Sequence, residues 1–285
     1  MGSVRLTRRL LLGRRGAGRL PERLQRAQEP VPGLDPQPQR QIHLQGGKQT
    51  WACSGSITKD IYDPNNPACT DGHASGTYGE GCQAGRVGAN TSLITMSIGG
   101  NDAGFADDLS GCYKNRIKLG WSKSCRYQQS SIDQKIAAIA PNLIADLRAL
   151  RARAPHARII LMTYPKLFPD PPTQNVGCVL ANICLTKGDQ AFYNEEAVKL
   201  DNAICAAAAA AGVGAECVNA ANAFSGCELD QANSCLQSPQ THISGSTGIG
   251  TNPGSFHPTQ KGQQILGVLI NGEIQNPPPG SGPPS

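Results

Sequence analysis

An α/β fold, a three-layer α/β/α sandwich around a parallel sheet, is the class this sequence predicts, on three observations. Apolar runs of strand length alternate with long stretches of helical periodicity, and that alternation places helices on both faces of a parallel sheet. At 285 residues the chain is long enough for one such domain with a substantial core. Its 39% hydrophobic and 16% charged content suits a globular protein, and no apolar run approaches a membrane span.

The elements follow in order. Residues 1–48 carry no apolar periodicity after Leu12, and prolines and glycines interrupt every helical run. They are expected to be an aberrant basic segment, disordered or read in a shifted frame. The domain proper is expected over 49–272. Within it "QTWACSGSITKDI" (49–61) reads as a short buried strand, a loop and a helix start, and "TSLITMSIGGND" (91–102) as a strand ending in a glycine turn. Ile132, Ile136, Ile139, Leu143, Leu147 and Leu150 stand at helical spacing within 131–154. "ARIILMTYP" (157–165) is a buried strand stopped by Pro165. An alanine-rich helix over 189–211 ends at Gly212, a natural C-cap. "AECVNA" (215–220) is a short strand, and 258–270 a last helix begun after Pro258. Residues 273–285 form a Pro/Gly-rich tail.

The net charge of +5 belongs to the first 48 residues, which carry ten Lys+Arg against three Asp+Glu; the remainder balances at −2. A basic arm can bind nucleic acid or anionic lipid. No aromatic residue interleaves with these arginines, so a nucleic-acid partner is not expected. Eleven cysteines point to disulfides in an oxidising compartment, and export is expected on that ground. The three leucines of "RRLLLGRRGAG" are too short an apolar core for a signal peptide. Zinc competes as an explanation, but there is no C-x2-C pair and the histidines do not cluster with cysteines. From Cys69 onward the cysteines fall into short-range neighbours, 69/82, 112/125, 178/184, 205/217 and 227/235, although sequence does not fix connectivity. Cys53 is left over.

Three segments carry chemistry: "ACSGS" (52–56), "SIGGNDAGF" (97–105) and "SFHPTQKGQ" (255–263). In this order they resemble the second, third and fifth sequence blocks of the SGNH (GDSL-type) hydrolases, nearest to their disulfide-containing secreted actinobacterial lipases and esterases. The resemblance spans about residues 50–270. It implies a flavodoxin-like three-layer fold and a metal-independent, cofactor-free hydrolysis of carboxylic esters, with a small-molecule or lipid ester as substrate and a monomeric chain. It implies an oxyanion hole from the Gly55 backbone N–H and the Asn101 side chain, and His257 as general base. Many relatives orient that histidine with an aspartate three residues earlier. Here the position is Gly254, so only its backbone carbonyl could serve.

Taken singly, each signal has a plainer reading. Asn101-Asp102 after two glycines could be a turn, and His257 before a proline a helix-cap residue. Asp102 is expected to be structural. His43, His73, His156 and His242 have no motif context and are expected at the surface.

The family's first block, a Gly-Asp-Ser after the first strand, is missing. Ser3 is the sole serine before Ser54, and its neighbours do not fit. As written the chain is expected to be inactive, with the first strand missing or disordered. A shifted frame accounts for this. Joining the last two bases of each codon to the first of the next lets Val4 through Leu12 read Tyr-Val-Ser-Leu-Gly-Asp-Ser-Tyr-Ser, with Arg8, Arg9 and Leu10 becoming the glycine, aspartate and serine. Leu24 then permits a cysteine, a partner for Cys53. The other shifted frame cannot yield glycine or aspartate at those arginines. Two other readings stand beside this: a catalytically dead protein that binds esters or glycans, and an interaction protein whose working part is residues 1–48.

Overall fold

The computed structural model describes residues 3–8, 49–50, 52, 55–65, 83–119, 124–175, 184–229, 233–237, 241–244, 248–251 and 256–277. Its centre is a five-stranded sheet in the order β2-β1-β3-β4-β5. These strands are β1 (Ser3–Arg8), β2 (Gln49–Thr50), β3 (Thr91–Ser97), β4 (Arg158–Met162) and β5 (Ala215–Val218). Strands β3, β4 and β5 are parallel, with Leu93 opposite Arg158 and Ile159 opposite Ala215. A two-stranded antiparallel hairpin, β6 (Thr241–Ser244) and β7 (Gly248–Thr251), stands apart from the sheet.

The strands are two-sided, as buried parallel strands must be. Ile94, Met96, Ile159 and Leu161 face a large core with Ile132, Ile139, Leu143 and Leu147 of α3 (Gln129–Arg153) and Leu200 and Ile204 of α4 (Lys187–Ala210). Ile160 and Val218 point the other way, onto Ile270 of α5 (Gln260–Gln275). Each such aliphatic side chain contributes roughly 1.5–3 kcal/mol on burial. The expected three layers are therefore present.

Local chemistry sets the helix ends. Thr186 caps α4, accepting from the Asp189 N–H, while Asp189 reaches back to the Thr186 N–H at 2.8 Å. After α4 the chain turns at Gly212, φ +68°. Thr259 caps α5 through the Gly262 N–H. The far end of α5 is held from the sheet: Arg158 forms a two-pronged ion pair with Glu216 and also donates to the Glu273 and Ile274 carbonyls.

The position beside β3 differs from expectation. A missing or disordered first strand was expected; instead Ser3–Arg8 pairs with β3 in antiparallel sense, Ser3 opposite Ser97 and Arg8 opposite Thr91. The free edge of β3 offers backbone donors and acceptors to a strand of either direction, and "SVRLTR" fills it. Of the basic segment 1–48 only these six residues are described. Two further elements had no clear signal in the sequence, the helix α2 (Phe105–Leu119) and the β6–β7 hairpin.

Three of the expected disulfides are formed: Cys112–Cys125, Cys205–Cys217 and Cys227–Cys235. Cys184 is also disulfide-bonded. Cys53, Cys69, Cys82 and Cys178 lie outside the described residues. Cys112, Cys125 and Asp189 are the one candidate metal cluster among the described residues. Its two sulfurs are already joined to each other, and Asp189 accepts from the Cys125 N–H at 2.8 Å, so the cluster is a cross-link.

Candidate active site

The carboxyl ends of the parallel strands are where ligands bind in open α/β sheets, and there two of the sequence blocks are laced together. The turn after β3 runs through Gly99, φ +108°, to Gly100 and Asn101. The Asn101 side-chain N–H donates to the Ser56 carbonyl at 2.8 Å. Gly55, next to Ser56, is exposed in a turn with φ +82°, a left-handed conformation suited to glycine. The Ser56 hydroxyl accepts from the Gln83 side chain at 3.1 Å. Asp102 accepts from both the Thr58 N–H and its hydroxyl, at 3.0 and 2.6 Å, tying α1 (Thr58–Ile61) to the same turn. Asp102 is thus occupied in holding two blocks together.

Beneath this junction Asp146 of α3 is fully buried. Burial first, then the nearby charge of Asp102, push its carboxyl well above the ordinary range.

The histidine arrives from the opposite side. His257 sits just before α5, on a segment clamped to residues 233–237. The Gln237 N–H donates to the His257 carbonyl at 2.8 Å and the Phe256 N–H to the Gln237 carbonyl at 3.0 Å. Leu236 and Pro258 form a β-bridge, and the Thr259 N–H donates to the Cys235 carbonyl at 2.8 Å. The Cys227–Cys235 disulfide anchors this clamp. Phe256 is buried with φ +64°, a conformation costly for a bulky residue unless its surroundings enforce it.

Asn101 and His257 line one cleft of about 90 Å³. Its other walls include Phe105, Leu109, Leu167, Leu200 and Phe256, with Tyr164 near the Asn101 turn. The cleft thus pairs a few polar groups with apolar walls, as small-molecule sites do. Of the residues singled out from sequence, the structure brings Asn101 and His257 to one cleft and Gly55 beside the Asn101 turn. Gly254 lies outside the described residues. His156, described, is in the loop before β4, away from these blocks.

The cleft walls were missed by motif reading. Phe105 was inside a quoted block and Tyr164-Pro165 ended a predicted strand, so proximity to a strand's carboxyl end was the available signal. Thr163 and Tyr164 are fixed by α4, where the Asp201 carboxylate accepts from the Tyr164 N–H at 2.9 Å. Burial raises the Asp201 carboxyl to about 7, against the hydrogen bonds from Tyr164 and Thr163. Burial likewise pushes the Tyr164 phenol above its ordinary value.

A model of the GDSL-like lipase/acylhydrolase family matches residues 7–265. Lipase 1 of Streptomyces coelicolor is 28% identical over 213 residues, 74% of this chain and 64% of that lipase. A lipase of Streptomyces rimosus is 27% identical over 75% of this chain and 69% of its own length. The chain therefore spans less than two thirds of one curated relative and slightly more of the other. Among solved structures, a phospholipase A1 from Streptomyces albidoflavus aligns with TM-score 0.56 and 28% identity, over 79% of this chain and 78% of that one. An extracellular lipase from Streptomyces rimosus aligns at TM-score 0.55 and 23% identity, over 78% of each chain, and supports the fold alone.

Proposed function

The chain belongs to the GDSL-like lipase/acylhydrolase family, and from that premise we propose that it is the scaffold of an exported carboxylic ester hydrolase of the serine–histidine type. The single observation that carries this reading is the cleft shared by Asn101 and His257, with Asn101 bonded to the carbonyl next to Gly55.

In the proposed reaction a serine hydroxyl attacks the ester carbonyl carbon while the His257 imidazole takes its proton. Negative charge gathers on the carbonyl oxygen, where the Gly55 N–H and the Asn101 amide donate to it. The intermediate collapses, the C–O bond to the alcohol breaks, and His257 returns the proton to the leaving alkoxide. Water then repeats the sequence on the acyl-enzyme and releases the acid. The apolar walls favour an acyl chain, hence a lipid or other apolar ester. Export is favoured by the disulfides and by the description of the Streptomyces rimosus lipase as extracellular. Among the described residues no helix is long and apolar enough to cross a membrane.

The nucleophile is the missing part. Restoring the shifted frame over the first 45 or so residues supplies a Gly-Asp-Ser at Arg8, Arg9 and Leu10. The written sequence by itself favours a second reading, a catalytically dead protein that binds esters without turnover. Hydrolysis of a panel of p-nitrophenyl esters by the written and the frame-restored proteins decides between them. The expected result is activity in the restored form alone, lost in His257→Ala. Equal activity in the written form would overturn the assignment of the nucleophile, and inactivity of both would leave the binding protein.

A further inference from the structure

Asn101 can serve an oxyanion only if its amide points the right way, and the turn that carries it rests on a residue no motif announces. Tyr164 follows β4 at the carboxyl edge and lines the same cleft as Asn101 and His257. Its hydroxyl accepts from the Gly100 N–H at 3.1 Å and is also hydrogen-bonded to the Ser97 side chain. The ring lies so close under Gly100 that a Cβ there would stand 3.0 Å from the ring's Cζ.

Tyr164 is itself fixed from below. Its N–H donates to Asp201 at 2.9 Å, the Thr163 N–H donates to the Val218 carbonyl at 2.9 Å, and the Thr163 hydroxyl accepts from the Ala220 N–H at 2.9 Å. A rigid chain of contacts therefore runs from α4 and β5, through the end of β4, to the backbone one residue before Asn101. The amide is held at its other end by the Ser56 carbonyl at 2.8 Å.

We propose that Tyr164 is a positioning residue of the oxyanion hole: by holding the Gly100 N–H it sets the direction of the Asn101 side chain. The proposal rests on the hydrolase reading above, in which Asn101 is the oxyanion donor. Tyr164→Phe keeps the ring and removes the acceptor. In the full chain as it stands, hydrogen exchange of the Gly100 amide should accelerate by about tenfold or more while amides in β4 and α4 keep their protection. The Asn101 side-chain amide resonances should shift. Gly100→Ala presses on the ring from the other side and should move the same resonances, which keeps the test alive if Tyr164→Phe fails to fold.

In the frame-restored protein Tyr164→Phe should lower kcat by about tenfold, less than the ~100-fold or greater loss of a whole oxyanion donor, with KM within about twofold. A merely structural tyrosine would lower Tm and leave the Asn101 resonances and kcat per folded molecule unchanged, and that result overturns the proposal. If the restored protein proves inactive, the hydrolase reading fails on its own, and the resonance and exchange measurements still judge whether Tyr164 orients Asn101.

Discussion

Gly262 offers a test of how the histidine segment is held, because two physical effects there predict opposite signs. Replacing a helical glycine by alanine ordinarily stabilises by up to about 1 kcal/mol. At Gly262, in the first turn of α5, an added Cβ would stand 2.2 Å from the Cys235 carbonyl oxygen and 3.1 Å from both Phe224 and Pro258. Ordinary nonbonded separations are roughly 3.5 Å, so helix and carbonyl must part by more than about 1 Å. The carbonyl cannot yield freely. It accepts from the Thr259 N–H, and Cys235 is cross-linked to Cys227. Overpacking of this kind costs about 1–3 kcal/mol, which outweighs the helical gain. Gly262→Ala should therefore lower stability by about 1–2 kcal/mol in urea denaturation of the full chain. Gly267→Ala, whose Cβ would meet nothing within 4 Å, should raise it slightly. Equal stabilisation by both substitutions would refute the close approach of α5 to the Cys227–Cys235 clamp, and with it this account of how His257 is placed.

Other consequences can be read in the same way. The folded chain keeps a proton on Asp201 up to about pH 7, whereas an ordinary aspartate releases it near 3.8; the group favours the fold below that lower value and its contribution is lost as pH rises through about 7, a difference of at most about 4 kcal/mol. Asp201→Asn should flatten the stability profile across that window, measured by denaturation at a series of pH values, and an unchanged slope would show that Asp201 titrates normally. Arg158→Ala leaves the buried Glu216 carboxylate without its partner and frees the end of α5, so a loss of about 3–5 kcal/mol is expected in the same assay; a loss below 1 kcal/mol would show that the pair is dispensable. Antiparallel partners lie about 4.5–5.5 Å apart at Cα, within disulfide range. Cysteines placed together at Ser3 and Ser97 should therefore cross-link in the written chain, as read by peptide mapping, and failure to do so would deny the observed register of β1.

The strong periodicities were legible. The apolar spacing from Ile132 to Leu150 located α3, and Gly212 marked the end of the alanine-rich helix to within a residue or two. Two unbranched signals sufficed there, a buried face and a stop. Helix α2 was not legible because Ser110-Gly111 sits at its centre; what holds the helix is tertiary, through Leu109 and the Cys112–Cys125 bridge. Asn101 and His257 could be singled out because each stands in a short motif, beside a glycine turn and before a helix start, and the fold brings both to one cleft. The cleft walls were not, since Leu109, Leu167 and Leu200 look like any other core leucines until the fold brings them to one mouth. Tyr164 belongs with them. Its role arises from a contact 64 residues away, and no local pattern encodes that.

The frame reading proposed above makes a demand on the direction of one strand. In β1 as it stands, Ser3 lies at the carboxyl edge of β3, and Arg8 lies at the amino edge beside Thr91. Six residues of strand place those ends roughly 17–20 Å apart. The positions that a restored frame would turn into Gly-Asp-Ser begin at Arg8, so with this strand direction they start at the edge remote from Asn101. A nucleophile introduced there without reversing β1 would be too far away for His257 to take its proton, which needs hydrogen-bond reach. The restored sequence must therefore run β1 parallel to β3, as the α/β pattern prefers, and must supply a crossover connection to the next strand. Restoring three residues alone is not enough. The frame reading demands a change of strand polarity along with a change of residues, so it stands or falls on the sheet as well as on the active site.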